Sequence, residues 1–303
     1  MLPFARITII GLGLIGSSVA RATRKAMPTA RITAYDADPQ VRETVRALDL
    51  ADDVADTAGA SVIDADLVIL CVPVGAMGAV AAEFADDLPA EAIVSDVGSC
   101  KGSVLAALTE ALPGATIIPA HPVAGTERSG PEAGFATLFQ KRWCIVTPPE
   151  GADALAVERV AEFWRRLGAD VELMAPDHHD RVLAVTSHLP HLIAYTIVGT
   201  ASDLEEVTQS EVIKYSAGGF RDFTRIAASD PTMWRDVFLT NREAVLEMLQ
   251  RFSEDLSQLQ RAIRWGKGDE LFDLFSRTRT IRRSIIDQGQ DDAREDFGRN
   301  HEG

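Results

Sequence analysis

The chain has 303 residues, 46% of them hydrophobic and 25% charged, enough for two domains and for apolar cores that offset the entropy of ordering the backbone, which argues against disorder outside the ends. Its formal net charge of -15, from 45 acidic against 30 basic side chains, repels phosphate backbones and anionic bilayers, so neither nucleic acid nor a membrane is an expected partner. Cys71, Cys100 and Cys144 form no CxxC pair and no even-numbered framework, and the N-terminus has no cleavable-signal pattern, so a cytoplasmic location is expected.

In chain order, short β-branched runs alternate with helical patterns up to residue 174, as in a parallel sheet covered by helices. Strands are expected at 7–10, 31–35, 67–72, 93–96, 116–118, 143–147 and 170–173. Helices are expected at 15–25, 39–48, 74–84, 101–112 and 154–167. After Met174 the β-rich runs stop. Ala175-Pro176-Asp177 reads as a helix start, with proline tolerated in the first turn. Amphipathic helices are expected at 180–200, 232–265 and 270–288, with a break at Gly218-Gly219 and a polar, fraying tail from Asp287. No uninterrupted apolar run reaches the roughly 18 residues that a membrane span needs. The predicted fold class is α/β: a Rossmann-type, doubly wound, mostly parallel sheet over residues 1–174, then an all-α domain over 175–303. Periodicity leaves open whether the apolar helix faces pack within one chain or against a second copy.

The run after the first strand, Gly11-Leu12-Gly13-Leu14-Ile15-Gly16, is a GxGxxG turn leading into a helix. Gly11 permits the tight turn, Gly13 lets the backbone approach a pyrophosphate, and Gly16 lets helix and strand pack closely. The diphosphate would lie over the helix N-terminus, where unpaired N–H groups and the dipole favour negative charge. Asp36 follows the second strand, where a carboxylate accepts ribose hydroxyls and repels a 2′-phosphate, predicting NAD over NADP. Val72 and Pro73 after one strand, and Ser95 and Ser99 around another, lie at carboxyl ends of strands and become candidates for contact with cofactor or substrate.

His121 follows the expected strand 116–118, and Pro122 restricts it to extended backbone. Histidine suits removal of a hydroxyl proton near neutral pH. An acidic protein that binds an anion must concentrate basic groups locally, and Arg225 offers a planar fork for a carboxylate. His188 and His191 share one helical face, but no third ligand accompanies them, so no metal is expected.

The segments Ser95-Asp96-Val97-Gly98-Ser99-Cys100-Lys101, His121-Pro122-Val123-Ala124-Gly125-Thr126-Glu127, Ser187-His188-Leu189-Pro190-His191, Gly219-Phe220-Arg221-Asp222-Phe223-Thr224-Arg225 and Asp230-Pro231-Thr232-Met233-Trp234-Arg235 occur in one order. In that order the chain resembles the prephenate, arogenate and cyclohexadienyl dehydrogenases of tyrosine biosynthesis, from about residue 5 to about 285. The resemblance implies NAD-dependent oxidation of prephenate or arogenate at ring C4 with loss of the ring carboxylate as CO2. It implies that His121 assists deprotonation of the C4 hydroxyl, that Ser99 supports His121, and that Arg225 grips the ring carboxylate. It further implies that Ser187, His188 and His191 line the substrate pocket, that Glu127 gates its mouth, that Trp234 shapes the substrate end, and that the helical domain forms a homodimer. The rival readings are a β-hydroxyacid-type dehydrogenase, which would use a lysine in the helical domain, and a non-catalytic NAD-binding regulatory protein. Lys214 is the only lysine between residues 142 and 266, and no such lysine motif surrounds it.

Overall fold

The computed structural model describes residues 2–126, 128–208 and 218–287. Six strands form one parallel sheet: β1 (Arg6–Ile10), β2 (Arg31–Tyr35), β3 (Asp53–Val54), β4 (Leu67–Leu70), β5 (Ile93–Asp96) and β6 (Thr116–Ile117). Their order is β3-β2-β1-β4-β5-β6. This is the doubly wound Rossmann order, whose direction reverses between β1 and β4 and opens a crevice at the carboxyl ends of those strands.

Alternation along the strands explains why helices cover both faces. Ile7 and Ile9 of β1 and Leu67 and Ile69 of β4 enter one core with Val19 and Ala20 of α1 (Leu14–Ala26) and with Val160 and Trp164 of α6 (Ala154–Arg166). Ile10, Val68 and Leu70 enter the other with Met77 and Ala81 of α4 (Met77–Ala82) and Val104 and Leu108 of α5 (Gly102–Ala111). A period of two thus feeds both faces, as burial on both sides requires. Two further helices cover β2 and β3: α2 (Pro39–Ala47), whose N-cap Asp38 accepts from the Gln40 N–H, and α3 (Ala58–Val62). The short β3 and α3 were not anticipated, because two to five residues carry too little periodicity.

Two expected strands leave the parallel sheet. β7 (Ala120–Pro122), β8 (Trp143–Val146) and β9 (Asp170–Leu173) form a separate three-stranded sheet in which β8 runs antiparallel to β7 and parallel to β9. His121 therefore sits within a strand, opposite Ile145, and not in a loop beyond β6. The extended backbone that Pro122 imposes is the strand itself.

Beyond Met174 the described residues are helical. α7 (Pro176–Leu183) passes through a π turn, Ala184–His188, into α8 (Leu189–Thr208). Length and composition alone would let the stretch Pro176–Asp203 cross a bilayer, with Asp180 and Arg181 close to its N-terminal end. Then come α9 (Gly218–Thr224), α10 (Pro231–Thr240), α11 (Arg242–Arg264) and α12 (Gly268–Asp287). Gly218 and Gly219 open α9 instead of marking only a break. The single helix expected over 232–265 is two, parted at Asn241. Glu127, Lys214 and the tail beyond residue 287 lie outside the described residues.

Contacts gather the chain into two compact units, Met1–Leu246 and Glu247–Gly303. The first holds every described candidate residue. In the second, Leu256, Ile263, Trp265, Phe272, Phe275 and Ile281 are exposed.

Candidate active site

The glycine turn follows from steric need at each position. Gly11 has φ +92°, and a Cβ there would lie 2.6 Å from the Cys71 carbonyl oxygen at the end of β4. A Cβ on Gly16 would run into the carbonyl of Gly11, whereas one on Gly13 would meet nothing within 4 Å. The first and third glycines are therefore required by packing, and the second leaves an open approach to the start of α1, where Leu14 and Ile15 lie half-buried in the first turn. That cradle fits a dinucleotide pyrophosphate.

Asp36 does more than wait for a ribose. One oxygen accepts the Leu12 N–H at 2.8 Å and the other the Asp38 N–H at 3.0 Å, so the carboxylate braces the glycine turn itself. A carboxylate offers about four acceptor positions, which leaves capacity for ribose hydroxyls. Val72 is half-buried and Pro73 exposed just after β4, while Ser95 is buried within β5 with no partner for its hydroxyl among the described residues.

The imidazole at residue 121 belongs to a relay the sequence did not disclose. Its Nδ1 lies 2.9 Å from Nε2 of His179 on α7, and Nδ1 of His179 lies 2.9 Å from Oδ1 of Asp180. A carboxylate only accepts, so His179 donates from Nδ1 and accepts at Nε2. His121 must then donate from Nδ1, which leaves its Nε2 with a lone pair. Asp180 is in turn held by the N–H groups of Lys101, at 2.7 Å, and Gly102, at 2.9 Å, at the start of α5. Burial alone would raise the Asp180 carboxyl, but these bonds and the one from His179 hold it below the usual range.

Burial pushes the His121 imidazole well below its ordinary value, and the nearby His179, Lys101 and His188 push the same way. Burial likewise lowers His179, against the pull of Asp180. Both rings are neutral at neutral pH. The Lys101 ammonium is fully buried, paired with Asp96 and donating to the Ala120 carbonyl at 2.9 Å, one residue before His121. Asp96 also accepts the Gly98 N–H at 2.7 Å, which shapes the loop presenting Ser99. Among the described residues no hydrogen bond joins Ser99 to His121; the ring is supported by His179.

The two histidines expected at the substrate pocket pack against Trp234. His191 donates from Nδ1 to the Ser187 carbonyl, 2.8 Å away, and stacks on Trp234 with ring centroids 3.6 Å apart. His188 meets Trp234 edge-on at 6.0 Å, and burial lowers it to about 4. Trp234 and Val237 of α10 close over Cys100, so α10 is packed onto the Ser99 loop. Arg225 opens a 3-10 turn, Arg225–Ala228, that packs against α8, and the Tyr195 hydroxyl of α8 donates to the Ser229 carbonyl at 2.8 Å. The arginine turn is thus fastened to the helix that carries His191. His179, Asp180, Lys101 and Asn241 were missed; the visible signal was the run His178-His179-Asp180 inside the helix start.

Residues 19–173 match the family described as prephenate dehydrogenase, nucleotide-binding domain, and residues 175–277 match prephenate dehydrogenase, dimerization domain. The chain belongs to the prephenate dehydrogenase family. It is 47% identical to a cyclohexadienyl dehydrogenase of Zymomonas mobilis over 94% of this chain and 97% of that protein. It is 33% identical to a prephenate dehydrogenase of Bacillus subtilis, over 91% of this chain and 75% of the relative. The crystal structure of the Aquifex aeolicus prephenate dehydrogenase with hydroxyphenyl propionate and NAD+ aligns with a TM-score of 0.87 at 33% identity, covering 94% of this chain and 98% of that one. Family membership makes the chain an oxidoreductase with a nucleotide-binding domain.

Proposed function

We propose that the chain catalyses NAD-dependent oxidative decarboxylation of prephenate to 4-hydroxyphenylpyruvate, and of arogenate to tyrosine, with His121 as the general base. The observation that carries this reading is the relay from Asp180 through His179 to His121, which leaves His121 Nε2 unprotonated and free to accept. Bound at the glycine turn, NAD supplies the acceptor for the hydride lost from ring C4. The residues do the rest. His121 takes the C4 hydroxyl proton, and the proton on its Nδ1 stays shared with His179 while Asp180 stabilises the positive charge that develops. Ser99 orients the hydroxyl.

Arg225 holds the ring carboxylate in its planar fork until that group leaves as CO2. His191 and Trp234 form a stacked wall for the ring, and Ser187 and His188 line the same side. Loss of CO2 passes its electron pair through the ring to the C4 oxygen, which takes the proton back from His121; aromatisation supplies the driving force, so the protein chiefly aligns C4 and holds that proton meanwhile. Asp36 accepts the ribose hydroxyls and disfavours a 2′-phosphate.

We further infer a domain division at 174/175 and a homodimer through the helical segment. The exposed Trp265, Phe272 and Phe275 support the dimer, because an apolar face of that kind calls for a partner. Three free cysteines fit a reducing cytoplasm. Initial rates of NADH formation with prephenate and with arogenate, each with NAD and NADP, test the reading. Prephenate-dependent NADH formation is expected, with NAD preferred; no turnover of either substrate would overturn it.

A further inference from the structure

The helix expected over 232–265 is interrupted at Asn241, a buried residue between α10 and α11 with φ -101° and ψ 33°. Its side-chain nitrogen contacts two groups from the preceding helices: the backbone carbonyl of Asp180, at 2.8 Å, and Nδ1 of His188, at 3.1 Å. The Asp180 carbonyl can only accept, so the amide must turn its NH2 toward it; rotated by half a turn it would oppose oxygen to oxygen. An NH2 has two protons, and the second goes to His188. Nδ1 of His188 is therefore an acceptor, and the proton of the neutral ring resides on Nε2. That nitrogen is buried, and the backbone of Ser99 is a neighbouring group that favours a further proton on the ring.

We propose that Asn241 is a positioning residue that fixes His188 as a neutral imidazole accepting at Nδ1 and donating from Nε2. The same amide grips the backbone of Asp180, whose carboxylate sets the tautomer of His179 and through it that of His121. One side chain at the helix break thus sets the proton arrangement of a pocket histidine and anchors the start of the relay. The groups that act on His188 are Asp180, which favours its charged form, His179 and His191, which oppose it, and the backbone of Ser99, which favours it; burial outweighs them and keeps the ring neutral. An aspartate in place of Asn241 would have nearly the same shape but no proton to donate. It would accept from Nδ1, and the ring would move that proton there or become charged.

The inference deepens the proposed function and rests on it for the importance of His188. Its test, read on substrate-free enzyme, is independent of turnover. Nitrogen NMR of the histidine rings in the full chain, assigned with His188→Gln, should show His188 as the Nε2–H tautomer with a midpoint near 4. Asn241→Asp should raise that midpoint by more than one pH unit, and Asn241→Ala should yield a mixture of tautomers. An Nδ1–H tautomer in the unaltered protein would overturn the proposal, and that spectrum needs no variant to fold. So would an Asn241→Asp protein whose His188 titrates as before. Absence of prephenate turnover alongside the expected spectrum would count against the proposed function and leave the role of Asn241 standing.

Discussion

The glycine turn and the imidazole relay are both arranged in advance by packing and hydrogen bonds, yet the sequence encodes them in opposite ways. Gly11, Gly13 and Gly16 lie within six residues, and their requirements are local: a positive φ, an open approach and a close helix–strand contact. The relay joins His121 of β7 to His179 of α7 across 58 residues and closes on the N–H groups of Lys101 and Gly102, 79 and 78 residues from Asp180. A site built from one turn is read from composition and order, while one assembled from separate elements appears only when they are folded together.

The largest expected effect separates the two regions. His121→Asn removes the base and should lower kcat by about 10²- to 10⁴-fold, the usual worth of a positioned general base, while leaving NAD affinity nearly unchanged. Stopped-flow and fluorescence titration would check the two halves, and near-normal turnover would take His121 out of the mechanism. Asp180→Asn should follow, since an amide can donate to His179 and reverse the tautomers along the relay. We expect kcat to fall roughly tenfold to 100-fold, with unchanged cofactor binding; equal loss of both would mean that Asp180 serves the fold alone.

Arg225→Gln should chiefly raise the Michaelis constant for prephenate, by about tenfold or more, because a charged bidentate partner is lost. An unaltered constant would contradict the clamp. Acid should weaken the folded state as well. Burial lowers His121, His179, His188 and His191, so the native state refuses protons that the unfolded chain accepts below its histidine value of about 6.5. Stability is then constant above that pH and falls as pH drops below it, which urea unfolding at several pH values can follow. The smallest effect belongs to Asp36→Ala. It should narrow the preference for NAD over NADP, and removing the acceptor for the Leu12 N–H should cost about 1 kcal/mol of stability.

Much of the nucleotide-binding half was legible because its strands obey a period of two and its turn residues are diagnostic. The second sheet was not, since β7 is only three residues and its partner β8 comes from beyond a 20-residue excursion. His188, His191 and Trp234 were expected together from the order of motifs, and the structure adds a contact between two of them: stacking of His191 on Trp234. Asn241 escaped notice because helical periodicity continues on both sides of it, and only its bonds to Asp180 and His188 give the break a reason.

The central claim is that the relay holds His121 neutral and ready to accept a proton. The most direct test is the pH dependence of kcat/KM for prephenate in the unaltered enzyme and in Asp180→Asn, from acid to neutral pH. The account predicts an acid limb well below the ordinary histidine value of 6.5 in the former, displaced in the latter. A limb at or above 6.5 that Asp180→Asn leaves in place would contradict it.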